Sequence, residues 1–345
     1  MYEKSRAIVF ERPRVVNLRE IELTPLQDDS IVCKTAMNAI SSGTDMKTWR
    51  GQQHPEQLYF PLVPGYENAG EVVHVQPGAE GKGIKVGDRV MINECRQFGN
   101  VCAAWGGGVE YAIKDSTTAP SPFDPVAKLP ENVSYKDAVI AYLACVSLKG
   151  IKRIPLDPSQ KVLVVGSGMI GVGAMQILKI MYPGITVICQ ERHPFRREIA
   201  SKYADHVVAV DGSEVDKVKE VTDGNGVDAL IECSGNPAVV GGLYKYIKSG
   251  GWDDEHPAAH IHLQGDYPER IVFDAYQKWF VTNCTITMTC ALAPGCKEQL
   301  LQWVSEGKFD TDLPCEVWPV EKCAEAFEYK EKKGEEVFKI LFEWN

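Results

Sequence analysis

The sequence predicts an α/β protein of two domains, one a doubly wound parallel sheet and the other an irregular β-rich body. Three observations predict it. Strand-like and helix-like segments alternate from about residue 135 onward. A glycine-rich turn joins one of those strands to a helix. The first 120 residues instead carry short β-rich runs between Pro and Gly turns, with little helical periodicity. At 345 residues and 44% hydrophobic content the chain can fill two cores.

In chain order, AIVF, SIVCKTAMNAI, AGEVVHV, DRVMI and VEYAI read as strands of a mostly antiparallel domain. SYKDAVIAYLACVSLKGI has helical spacing. KVLVVGSG, TVICQE, HVVAV, DALIEC, HIHLQG and TITMTC then predict strands separated by helices, the arrangement of βαβ units in a parallel sheet. A helix is predicted at KEQLLQWVSEG, and PCEVWPVEKCAEAFEYKEKKGEEVFKILFEW returns to helix plus strand. There is no internal repeat, low-complexity tract or long linker.

A net charge of −10 gives nucleic acid no electrostatic reason to approach, because phosphate binding needs clustered Lys and Arg. The N-terminus carries Glu3, Lys4, Arg6, Glu11 and Arg12 where a signal peptide needs an apolar segment, and no apolar run has membrane-spanning length. A cytoplasmic protein is expected. The 11 cysteines are scattered without a C-x-x-C and read as reduced, mostly buried thiols.

KVLVVGSGMIGVGAMQILK sets Gly166, Gly168 and Gly171 between an apolar strand and an amphipathic helix. The first glycine permits the tight turn, the second lets backbone approach a pyrophosphate, and the third lets helix pack on strand. Gly166, Ser167, Gly168, Met169, Ile170 and Gly171 are thus the expected cradle of a dinucleotide, the Rossmann pattern. Glu191, twenty residues past Gly171, ends the next strand, where an acid would hold the adenosine ribose hydroxyls. That acid repels a 2′-phosphate and favours NAD, while Arg192, with Arg196 and Arg197 beyond, is of the kind that binds the phosphate of NADP. Solvated surface charge is the other reading of these arginines, and suits Arg197 better than Arg192. Ser234 and Gly235 in DALIECSGNP would let the cofactor pass close to the backbone.

SSGTDMKTWRG, VPGYENAGEVV, KVGDRVMI, GVEYAI, the glycine fingerprint, DALIECSGNP and the C-terminal strand together resemble the medium-chain dehydrogenase/reductase superfamily over nearly the whole chain. The resemblance implies a GroES-like catalytic domain, 1–150 plus 311–345, and a Rossmann domain, 151–310, with the active site between them. It also implies a homodimer or homotetramer acting on a small-molecule substrate. In zinc members the matching segments carry cysteine at Ser42, histidine at Tyr66, and a carboxylate or cysteine near Ala141. Hydroxyl, phenol and methyl groups cannot make the N/S/O shell of Zn²⁺. The structural-zinc lobe is missing too, since NECRQFGNVCAAWGGG keeps only Cys95 and Cys102. A member without zinc is expected. The zinc-free subgroup nearest in look is that of bacteriochlorophyllide a dehydrogenase, on GYE and the YP of LQGDYPE, from which WGGGVEYAI and GGWDDEHPAAHIHL depart.

Without a metal, another group must polarise the substrate oxygen and take its proton. Tyr66 is the first candidate, with Lys47 as the cation that lowers its pKa and Thr44 as the relay hydroxyl that the resemblance implies. Tyr66 could instead fill the void left by zinc, and Lys47 could be a solvated loop lysine. Glu67 could act as the base or accept backbone N–H groups. Ser42, Asp45, Trp49, Arg50, Glu94 and Trp105 are candidates to line a substrate pocket, with packing as the alternative for Trp49, Arg50 and Trp105. His256, His260 and His262 beside Asp253, Asp254 and Glu255 look metal-like in composition but precede a strand, away from its carboxyl end, and read as polar loop and strand edge.

The expected activity is hydride transfer between NAD and a secondary alcohol or ketone of a polar metabolite, such as a sugar, cyclitol or polyol. Enoyl or quinone reduction, which would want an apolar site, and a non-catalytic nucleotide-binding role are the alternatives.

Overall fold

A computed structural model of the chain describes residues 2–53, 59–93, 98–118, 125–253, 255–267 and 269–345. Its contacts separate two units, Met1–Tyr142 with Leu292–Asn345, and Leu143–Ala291. The divisions expected near residues 150 and 310 therefore fall earlier. The reason is visible in the hydrogen bonds of the segment after 291: Lys297 Nζ donates to Asn93 Oδ1 at 2.8 Å, and Asn132 Nδ2 donates to the Ser305 carbonyl at 2.8 Å.

The chain opens with β1 (Lys4–Arg12), β2 (Val15–Glu22), β3 (Ile31–Ile40), α1 (Thr44–Arg50), β4 (Leu62–Val63), β5 (Asn68–Val75), β6 (Arg89–Met91), β7 (Cys102–Ala103), β8 (Tyr111–Lys114) and β9 (Ala127–Lys128). α2 (Tyr135–Ile151) carries the chain from the first unit into the second. There β10 (Lys161–Val165), α3 (Met169–Met181), β11 (Thr186–Glu191), α4 (Pro194–Ala200), β12 (His206–Ala209), α5 (Glu214–Val221), β13 (Ala229–Glu232), α6 (Pro237–Val240), β14 (His260–Leu263), α7 (Tyr276–Phe280) and β15 (Thr285–Met288) follow. α8 (Cys296–Ser305), β16 (Cys315–Pro319), α9 (Cys323–Lys333) and β17 (Lys339–Glu343) return to the first unit.

In the first unit the sheets run β2-β1-β4-β7 and β16-β17-β3-β5-β6-β9, with β8 also on β3. All of these pairings are antiparallel except β4 with β7 and β16 with β17. One core, around Phe10, Trp49, Phe327 and Phe342, joins strands from both ends of the chain; another gathers Val32, Val72, Val90, Ile92 and Phe98. Trp49 thus sits in the core, with the Arg14 guanidinium over its ring, rather than in a pocket.

The second unit is a six-stranded parallel sheet ordered β12-β11-β10-β13-β14-β15. Chain direction across the sheet reverses at the β10/β13 border, where ligands bind in doubly wound folds. Gly173 of α3 lets α2 approach, since a Cβ there would lie 3.1 Å from that of Ala144. Among the described residues no helix is long and apolar enough to cross a membrane.

Candidate active site

Tyr66 lies between β4 and β5, and the loop leaving β3 faces it. Its Oη is 2.6 Å from Ser41 Oγ and 3.3 Å from Thr44 Oγ1, while the Thr44 N–H points at Ser41 Oγ at 3.3 Å. Three hydroxyls therefore cluster around the Tyr66 side chain. Burial raises the phenol's pKa above its ordinary value, and the carboxylates of Glu67 and Asp45 raise it further. The net shift is upward, not the lowering expected of a cation at Lys47. Lys47 itself is buried on α1 rather than solvated.

The two carboxylates next to this cluster are occupied. Asp45 accepts from the Ser41 N–H at 2.8 Å and the Gly65 N–H at 3.1 Å, fixing both chain segments that carry the hydroxyls. Burial, with Glu67 adding, pushes its carboxyl up to about 7 against the pull of those N–H groups and of Lys339. Glu67 is fully buried and ion-paired with Lys339. Burial pushes its pKa up while the ammonium opposes. Neither acid is the substrate-facing base or ligand expected of it. Among the described residues the donor set does not fit a catalytic zinc: Ser42 is exposed, Ala141 is buried with only a methyl group, and Glu67 already holds a cation.

Arg50 is also engaged, its Nε and Nη2 donating to Glu331 at 2.8 and 2.5 Å. Glu94, Cys95 and Asp254 lie outside the described residues. Trp105 meets the Tyr66 ring edge-on with centroids 5.8 Å apart. Tyr142, which the sequence reading did not single out, also meets that ring, at 5.4 Å.

In the second unit the turn after β10 presents the glycine cradle. Gly166 has φ 88, and a Cβ on it would lie 3.0 Å from the Ser234 backbone, so the loops after β10 and β13 touch. A Cβ on Gly171 would lie 1.9 Å from the Gly166 carbonyl oxygen, which excludes any side chain. Gly168 is open, its nearest neighbour being Arg196 Nη1 at 3.9 Å. The first-turn N–H groups of α3 have no partner within the helix, and with this open approach they fit a pyrophosphate.

Glu191 ends β11 and is buried. Its Oε2 accepts from the Ser167 N–H and Oγ at 2.8 and 3.0 Å, and Oε1 from the His193 N–H at 2.9 Å. The acid therefore clamps the loop after β10 to the end of β11. Arg196 Nε is buried without a hydrogen-bond partner among the described residues. Arg197 donates to the Arg192 and Glu191 carbonyls at 2.6 and 3.3 Å and so braces the backbone, while Arg192 is exposed. Ser234 and Gly235 are held by Glu232, whose carboxylate takes the Ser234 N–H at 2.8 Å and also binds Tyr267 of LQGDYPE.

Of the histidines, His256 pairs with Asp253 at 2.9 Å on an exposed loop. His260 and His262 lie in β14, an interior strand rather than an edge, and bond the hydroxyls of Thr287 on β15 and of Thr289 just past it. Among the described residues no disulfide joins the cysteines; Cys290 is exposed and the others are wholly or partly buried.

Residues 27–130 match the family described as alcohol dehydrogenase GroES-like domain, and residues 170–252 that described as zinc-binding dehydrogenase. The L-threonine 3-dehydrogenase of Pyrococcus abyssi (strain GE5 / Orsay) is 29% identical, over 79% of each chain. The 2-desacetyl-2-hydroxyethyl bacteriochlorophyllide A dehydrogenase of Cereibacter sphaeroides is 26% identical, over 78% of this chain and 76% of its own. The 2R,3R-butanediol dehydrogenase structure from Bacillus subtilis superimposes with a TM-score of 0.80 at 22% identity, covering 99% of this chain and 100% of its own, an agreement in fold. Fold and relatives together define an oxidoreductase of the alcohol dehydrogenase kind. The chain belongs to the medium-chain dehydrogenase/reductase superfamily.

Proposed function

We propose that this chain moves hydride between NAD and the carbinol carbon of a secondary alcohol or ketone of a hydroxylated small molecule, without zinc. The observation that carries the reading is the hydroxyl cluster of Tyr66, Ser41 and Thr44, beside carboxylates already satisfied by the protein. NAD is favoured by the acid at Glu191, next to the ribose position. The relatives' printed substrates, threonine and butanediol among them, support a hydroxylated substrate.

When bound, the nicotinamide supplies or accepts the hydride. The chain's own part is the oxygen and its proton. Tyr66 rests as a neutral phenol because burial and two carboxylates disfavour the phenolate. It can donate to a carbonyl oxygen while Ser41 and Thr44 hold its orientation, which suits ketone reduction at neutral pH. The buried Asp45 keeps both hydroxyl-bearing segments in register.

The test follows NADH consumption with a ketone panel and NADH formation with the matching alcohols, alongside elemental analysis and assay in a strong chelator. Activity without stoichiometric zinc is expected. One zinc per chain, lost together with activity in chelator, sinks the zinc-free mechanism.

A further inference from the structure

The run Trp105 to Gly108 has no task in the hydride-transfer reading, yet it is built with care. Gly106, Gly107 and Gly108 donate their N–H groups to the carbonyls of Val63, Gly65 and Pro64 at 3.2, 2.7 and 2.8 Å. A Cβ on Gly107 would lie 2.7 Å from the Gly65 oxygen, and one on Gly108 3.0 Å from that of Pro64. Only glycines let this strap lie flat on the segment that leads into Tyr66. Trp105 heads the strap at φ 74, a left-handed conformation that is costly for a bulky residue and persists only where its surroundings dictate it.

The result is a fixed aromatic corner. The indole of Trp105 stands at 75° to the Tyr66 ring, and Tyr142 abuts the same ring. Tyr142 is held by Asn93, whose Nδ2 donates to its hydroxyl at 2.7 Å, and Asn93 is gripped by the buried Lys114 and Lys297 at 2.7 and 2.8 Å. Of the charged side chains expected to bind substrate hydroxyls, those described are spent, Asp45 on backbone, Glu67 on Lys339 and Arg50 on Glu331. A substrate oxygen held at the Tyr66 hydroxyl therefore brings its carbon skeleton to the aromatic surface of this corner.

We infer that Trp105 sets specificity for alcohols whose carbinol carbon belongs to a six-membered ring, the apolar C–H face of that ring lying on the indole. An acyclic chain offers no such face. The inference rests on the proposal that Tyr66 handles the substrate oxygen.

The experiment compares cyclohexane-1,2-diol and myo-inositol with butane-2,3-diol and sorbitol, using NAD, for the native protein, Trp105→Gly and Trp105→Phe. Glycine accepts the left-handed backbone without strain, so it removes the indole with little disturbance of the strap. The native protein should favour the ring alcohols in kcat/KM by about tenfold or more, the scale of one well-made apolar contact. Trp105→Gly should lower kcat/KM for ring alcohols about tenfold more than for acyclic ones, and Trp105→Phe should keep most of the preference. A native preference for the acyclic pair, or an equal loss on both pairs in Trp105→Gly, overturns the inference and leaves hydride transfer standing. Four inert alcohols, and inert ketones to match, overturn both.

Discussion

Lys339 places its Nζ 2.5 and 2.6 Å from the two carboxylate oxygens of Glu67, 272 residues earlier in the chain, with both side chains fully buried. Removing one partner of such a pair leaves an uncompensated buried charge, at a cost of about 3–5 kcal/mol. Lys339→Met should therefore unfold at much lower urea concentration than the native protein. The double variant Glu67→Gln with Lys339→Met should regain part of that loss, because no lone charge remains. Strictly additive losses in the cycle would show that the two side chains do not act as a pair.

Tyr66→Phe keeps the ring that meets Trp105 and Tyr142 and removes only the hydroxyl. Ketone reduction should fall about 100-fold, the scale of a lost acid, with NAD affinity unchanged. Since the phenol's pKa lies above its ordinary value, alcohol oxidation in the native protein should keep rising through pH 10 without a plateau from this group. Full turnover in Tyr66→Phe would reduce the phenol to packing.

Glu191→Ala removes both the ribose acceptor and the clamp on Ser167. Dissociation constants measured by quenching of protein fluorescence should weaken for NAD about tenfold and for NADP less, narrowing the preference. A native preference for NADP would mean that Arg192 and Arg196 outweigh the acid.

His262 is buried between Thr287 and Thr289, and burial lowers its pKa to about 4. Its folded pKa is depressed, so the unfolded chain takes up a proton first as pH falls. The stabilising difference is intact above the unfolded value of about 6.5 and is lost as pH falls toward 4, a change of order 3 kcal/mol. Urea midpoints of His262→Gln should be flatter with pH across that window than those of the native protein. Parallel curves would assign the acid sensitivity elsewhere.

The parallel sheet was legible because its signals are local: each strand is a short apolar run, and Gly166, Gly168 and Gly171 act within one turn. The hydroxyl pairing of Tyr66 with Ser41 was not, because a serine beside Ser42 carries no pattern until β3 and β5 bring the two loops together. Glu67 read as a base for the same reason, its cation lying on the last strand. The β-rich unit drew the most errors, since its contacts span the chain and its charged residues answer one another over hundreds of positions. Arg50 with Glu331 and Lys297 with Asn93 are of this kind.

β17 pairs with β3 from Ile340 opposite Ile40 to Glu343 opposite Met37. A chain leaving the ribosome can thus complete Leu143–Ala291, a continuous stretch, before the strand that closes the first unit exists. The part synthesised first finishes last. Until β17 is made, β3 offers an open edge along Met37–Ile40, the kind of edge other chains pair with, and Glu67 waits without its cation.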